Sequence, residues 1–127
     1  MKLYGLRIFV DDLTAAKTFY IETMGLSLHW ELPELGAFGA ALDNAELIVE
    51  TAQDAEGRSY VGRFVGASLQ VDDIYDEYDR LKSLGVHFET EPEEQEWGGV
   101  LAHFKDPSGN TLTLLGPSRT GGTPTPM

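Results

Sequence analysis

Three side chains of this sequence are suited to moving a proton. His103 is an imidazole, a side chain type suited to acid–base work, and Glu46 and Glu50 are carboxylates of matching parity on one strand-like run. A second group is suited to gripping. Arg7 can hold an anionic or carbonyl group, or can pair structurally with Glu46 or Glu50, because charges are seldom buried alone. Phe9, Trp97 and Trp30 can stack on a planar molecule or fill a core. Ser68 has no nearby His-Asp pattern, so nothing marks it as a nucleophile. The chain has no cysteine, which excludes disulfides, thiolate catalysis and cysteine metal sites. No catalytic residue can be assigned on this basis.

The elements that must position these residues come in two similar sets. Val10-Asp11-Asp12-Leu13 returns as Val71-Asp72-Asp73-Ile74. Each copy follows an alternating apolar run and opens a helical run that closes at Gly25 or Gly85. Strands are predicted over 3–10, 26–32, 38–42 and 45–51, with a helix from Leu13 to Met24 that Asp11 or Asp12 can cap. The second set predicts strands over 64–71, 86–90, 100–104 and 111–115. Its helix, 73–84, carries Ile74, Tyr78, Leu81 and Leu84 on one face. His29 and Trp30 have opposite parity in a regular strand, so they are not expected to point the same way. Residues 53–60 read as a connector, and Asp106-Pro107-Ser108-Gly109-Asn110 is a dense turn signal. The fold class is therefore α+β: two tandem βαβββ modules, 1–52 and 62–116, in one domain over 1–116. Residues 117–127, rich in Gly, Pro and Thr, read as a disordered tail.

In each module one sheet face packs on the helix and the other is left over. Four curled strands turn that leftover face into a cup, and two facing cups would enclose a pocket.

Bulk properties narrow the partners. With 9 basic and 21 acidic residues the net charge is −12, which repels phosphate backbones and argues against nucleic acid as a partner. No apolar run spans a bilayer, so no membrane partner is expected. Met1-Lys2-Leu3-Tyr4 runs straight into a strand with no visible signal peptide, so a cytoplasmic location is expected.

Taken together, Val10-Asp11-Asp12-Leu13, Phe19-Tyr20, Gly25-Leu26, Leu84-Gly85-Val86 and the run from Phe104 to Asn110 with Leu112 resemble the vicinal oxygen chelate superfamily. That group contains the glyoxalases, bleomycin resistance proteins and extradiol dioxygenases. The resemblance covers residues 3–116 and implies the paired βαβββ fold and, commonly, a homodimer. It also implies where metal-dependent members hold their ion. Those positions fall on Gly5, Gly66, Thr113 and, in the fourth strand, Ile48, with Glu46 or Glu50 there after a two-residue slip. Glycine has no donor, and a hydroxyl is a poor ligand beside imidazole or carboxylate. No metal and no cofactor are therefore expected.

With that parity the ligand-binding face comprises Arg7, Phe9, Glu46, Ile48, Glu50, Ser68, Gln70 and Thr113. The resemblance adds Leu101, His103 and Lys105 from the seventh strand, with Trp97 behind them. Glycines at former ligand positions are expected to leave volume for an organic guest. The function expected is a metal-free protein that binds or sequesters an aromatic or cationic small molecule. The alternative is a lyase or isomerase of the same superfamily, metal-dependent or using Glu46 or Glu50 with His103 as acid and base. A role confined to protein contacts ranks below both, since no helix reads as a docking stripe.

Overall fold

The computed structural model describes residues 1–119. Among the described residues two compact units emerge, Met1–Val65 with Asp106–Asn110, and Gly66–Lys105 with the residues from Thr111 onward. Each holds a mixed sheet built on the βαβββ pattern, which makes the fold α+β and glyoxalase-like.

In the first unit β1 (Gly5–Val10) alternates as its sequence requires, with Ile8 and Val10 fully buried and Arg7 exposed. Asp12 caps α1 (Leu13–Lys17), its carboxylate accepting the Ala15 N–H at 3.0 Å. The helix loosens into a π-helical stretch, Thr18–Thr23, and ends at Gly25, whose φ of 80° suits a residue without Cβ. β2 (Ser27–Leu32), β3 (Ala37–Ala41) and β4 (Glu46–Thr51) follow. The sheet order is β1-β4-β3-β2, with β1 parallel to β4 and the remaining pairs antiparallel. Phe38, Ala40, Leu47 and Val49 join Ile8 and Val10 in the core. The residues between modules are not a plain connector. Asp54 accepts the Gly57 N–H at 2.7 Å and starts a short helix, α2 (Ala55–Ser59).

The 106–110 turn belongs to this first unit, and it acts as a plug. Asp106 accepts the Tyr20 hydroxyl at 2.8 Å and the Asn110 backbone N–H at 2.8 Å. Asn110, fully buried, donates to the Phe9 carbonyl and accepts from the Gly62 and Arg63 N–H groups. Burial pushes the Tyr20 phenol far up, and the neighbouring Asp106 carboxylate adds to the shift.

In the second unit α3 (Ile74–Ser83) is capped by Asp73 and buries Ile74, Tyr78 and Leu81. Leu84 does not join that face. It is the C-cap and is exposed, and Val86 is buried beyond the turn at Gly85. β5 (Phe64–Gln70), β9 (Thr111–Pro117), β8 (Gly99–Lys105) and β6 (His87–Phe88) form the sheet in that order. The strand expected over 86–90 is cut to two residues, with the Glu89 N–H still donating to the His103 carbonyl at 3.0 Å. A further short strand, β7 (Glu93–Glu94), pairs with β8 instead. β9 reaches Pro117, and Ser118 is buried with its hydroxyl on Glu94 at 2.7 Å. The rest of the expected tail, 120–127, lies outside the described residues. Among the described residues no helix is long and apolar enough to cross a membrane.

Candidate functional site

On the first sheet, alternation leaves Arg7, Phe9, Ile48 and Glu50 on the face opposite the buried core residues. Register sets Phe9 beside Glu50 across the β1–β4 pair and Ala37 beside Glu50 across β3–β4. Arg7 holds Glu50 with both arms of its guanidinium, Nε to Oε2 at 2.7 Å and a terminal nitrogen to Oε1 at 2.8 Å. These hydrogen bonds with Glu50 raise the already high pKa of Arg7. The guanidinium carbon stands 5.3 Å from the Phe9 ring centre, and Phe9 meets Tyr60 at 5.3 Å in a tilted pair. Arg7, Phe9, Ala37, Glu50 and Tyr60 border a cavity of about 510 Å³, closed on one side by α2. Tyr60 is a site residue that sequence reading passed over. The signal for it was Asp54, a helix cap three residues before Gly57 that would have turned the connector into structure.

The other end of this face is filled. Glu46 is only 4% exposed and opens β4 opposite Gly5. His29 Nδ1 meets one carboxylate oxygen at 2.6 Å, and the Trp30 indole N–H donates to the other at 2.7 Å. Both neighbours reach the same group because the β2–β3 register slips between Leu28 and Trp30. The parity expectation for His29 and Trp30 fails at that irregularity. The Trp30 indole lies against Gly39, where any Cβ would collide with the ring. Gly5 likewise leaves no void. A Cβ there would sit 2.6 Å from the Glu46 carbonyl and 3.3 Å from Ile48 Cδ1. The expected emptiness at this glycine is thus taken up by Glu46 and Ile48.

Burial pushes the Glu46 carboxyl up, but hydrogen bonds from His29, Trp30 and Tyr4 outweigh it, and the pKa lies below the ordinary 4.5. A carboxyl depressed by folding stabilises the fold above the ordinary value, and that stability is lost as pH falls through the native value. Glu46→Gln is therefore expected to melt below the parent at neutral pH. Thermal melts at stepped pH should show the gap closing below about 4.5. A gap unchanged down to pH 3 would contradict this.

On the second sheet the sequence-predicted residues fall as follows. Ser68 and Gln70 are exposed on β5, and Leu101, His103 and Lys105 are half-buried at alternate positions on β8. His103 Nδ1 is 2.8 Å from the Thr113 hydroxyl on β9. Lys105 reaches the Thr111 hydroxyl at 3.0 Å and Glu89 at 3.3 Å. Trp97 lies in the turn before β8 with its ring against Gly99. Gly66 has φ of 78° inside β5, a backbone requirement independent of any ligand.

These donors do not fit a divalent ion. Gly5 and Gly66 offer nothing, and the Thr113 hydroxyl is engaged by His103. Glu46 is held by His29 and Trp30, and Glu50 by Arg7. Among the described residues no three His, Cys, Asp or Glu side chains cluster to hold a metal.

Comparisons with known proteins agree with the fold. The profile of the Glyoxalase/Bleomycin resistance protein/Dioxygenase superfamily matches residues 3–114. The uncharacterized protein YraH of Bacillus subtilis is 30% identical, over 90% of this chain and 97% of its own length. A bleomycin resistance protein of Klebsiella pneumoniae is 37% identical over 54 residues, 37% of this chain and 43% of its own. Among solved structures, TnmS3, an antibiotic binding protein from Streptomyces sp. CB03234, superposes with a TM-score of 0.77. It is 28% identical, with 93% of this chain and 97% of its own covered.

Proposed function

This chain belongs to the glyoxalase/bleomycin resistance protein/dioxygenase superfamily, and on that premise we propose that it binds a planar organic molecule without a metal ion. The carrying observation is the cavity of about 510 Å³ with Phe9 and Tyr60 at its border. A cavity of this size suits a drug-sized guest. Arg7 and Glu50 at its border hold each other without a guest. The antibiotic binding named for TnmS3 supports the reading. The lyase or isomerase alternative needs a carboxylate acting as base; Glu46 is buried and held by His29 and Trp30, and Glu50 is paired with Arg7 when no guest is bound.

Titration calorimetry against a panel of glycopeptide, quinone and polyketide compounds tests this. At least one planar member should bind, and Phe9→Ala and Tyr60→Ala should each weaken it by about tenfold through lost stacking and burial. Silence across the panel, or binding indifferent to both variants, would sink the proposal. We carry a homodimer acting in the cytoplasm with this reading. Sedimentation should then give twice 14.0 kDa, and a single-chain mass would remove the dimer.

A further inference from the structure

We propose that the guest of this cavity is a planar cation, an amidinium, guanidinium or aryl-ammonium group, and that it enters by displacing Arg7 from Glu50. The inference rests on the binding reading above and adds the charge class and the exchange. The first observation is the balance of charge around the cavity. Arg7 borders it against Glu50, Asp54 and Glu56, and with Arg63, which donates to the Arg7 carbonyl at 2.6 Å, two cations stand against three carboxylates. An anionic guest would enter a net negative field, while a cationic one is drawn in.

The second observation is that a planar cation already occupies the place. The Arg7 guanidinium is chelated by both Glu50 oxygens while it stands over the Phe9 ring. That arrangement is a template for an external guanidinium or amidinium, which offers the same two parallel N–H donors. The occupant is easily moved. Its side chain is 63% exposed and swings on a long flexible stem, whereas the Glu50 side chain is only 20% exposed. An incoming guanidinium or amidinium re-forms the same two parallel bonds, so the exchange leaves Glu50 paired as before. A guest with a ring attached adds apolar burial and ring stacking on Phe9 and Tyr60 to the cation contact that Arg7 already makes with Phe9. The opposite role for Arg7, gripping an anion with the N–H donors not given to Glu50, would seat that anion beside three carboxylates.

An isosteric series separates the two. Calorimetric titration of the full chain with 2-naphthamidine, 2-naphthamide and 2-naphthoate should place the amidine at least tenfold tighter than the amide, with the carboxylate weakest. Arg7→Met, which keeps the apolar stem, should leave amidine affinity unchanged or raise it severalfold. Glu50→Gln should lower it tenfold or more, and the melting temperature of each variant reports that it has folded. If 2-naphthoate binds tightest and Arg7→Met abolishes that binding, the cation assignment is overturned while the binding function stands. The cation assignment is overturned in the same way if all three naphthyl probes fail while a neutral or anionic polycycle binds in a Phe9-dependent way. If nothing binds, both fall.

Discussion

Replacing Asn110 by alanine is expected to destabilise the protein by about 3–5 kcal/mol. The side chain is fully buried and every hydrogen-bonding position on it is used. Its nitrogen donates to the Phe9 carbonyl at 2.8 Å and to Asp106 at 3.0 Å. Its oxygen accepts the Gly62 N–H at 2.8 Å and the Arg63 N–H at 3.2 Å. Truncation does more than delete these bonds. It also takes the amide donor from the buried Asp106 and unties the Gly62 and Arg63 N–H groups and the Phe9 carbonyl from one another, and an unpaired buried group costs more than a bond gains. Thermal denaturation should show a fall of about 10 °C or more. Ser108→Ala, two residues away, removes exposed contacts to Asp11 and should cost no more than about 1 kcal/mol. Equal effects from the two would mean that the turn is only a turn. The same segment also anchors the cavity, since Asn110 fixes the backbone at Phe9, the ring partner of Tyr60, and at Gly62, two residues past it.

Phe104→Ala and His103→Ala are expected to part sharply although they are neighbours. Phe104 is fully buried and meets Phe88 at 5.7 Å, which in turn meets Tyr78 on α3 at 4.7 Å. Removing it leaves a cavity in the core of the second unit, at about 3–5 kcal/mol. His103 points from the opposite face of β8 and its pair with Thr113 is worth about 1 kcal/mol. Denaturant unfolding of both variants measures strand parity directly. A slip of one residue would reverse the order, and with it every β8 assignment to the open face.

Much of this was legible because alternation and capping are local. Asp12 and Asp73 cap their helices as the repeated Val-Asp-Asp pattern suggests, and Arg7 and Phe9 share the face that the β1 alternation assigns. What stayed hidden depends on long-range partners or on departures from regularity. The 106–110 segment reads as a turn, but its role comes from Phe9 and Tyr20, far away in the chain. His29 and Trp30 converge on Glu46 only because β2 is irregular, and no residue type marks that slip. Gly5 suggests a vacancy to anyone counting metal ligands. The backbone of Glu46 stands close enough to exclude any side chain there. Arg7 left two partners open in sequence, and the β1–β4 register brings it to Glu50.

The most direct measurement is a pair of calorimetric titrations of the chelator-stripped protein with a planar guest from the panel. One is run in chelator and the other with one equivalent of nickel, zinc, manganese or iron(II). The affinities should agree within experimental scatter, and metal alone should give no heat of stoichiometric binding. Guest binding that appears only once the ion is present, at near one ion per chain, would contradict the account.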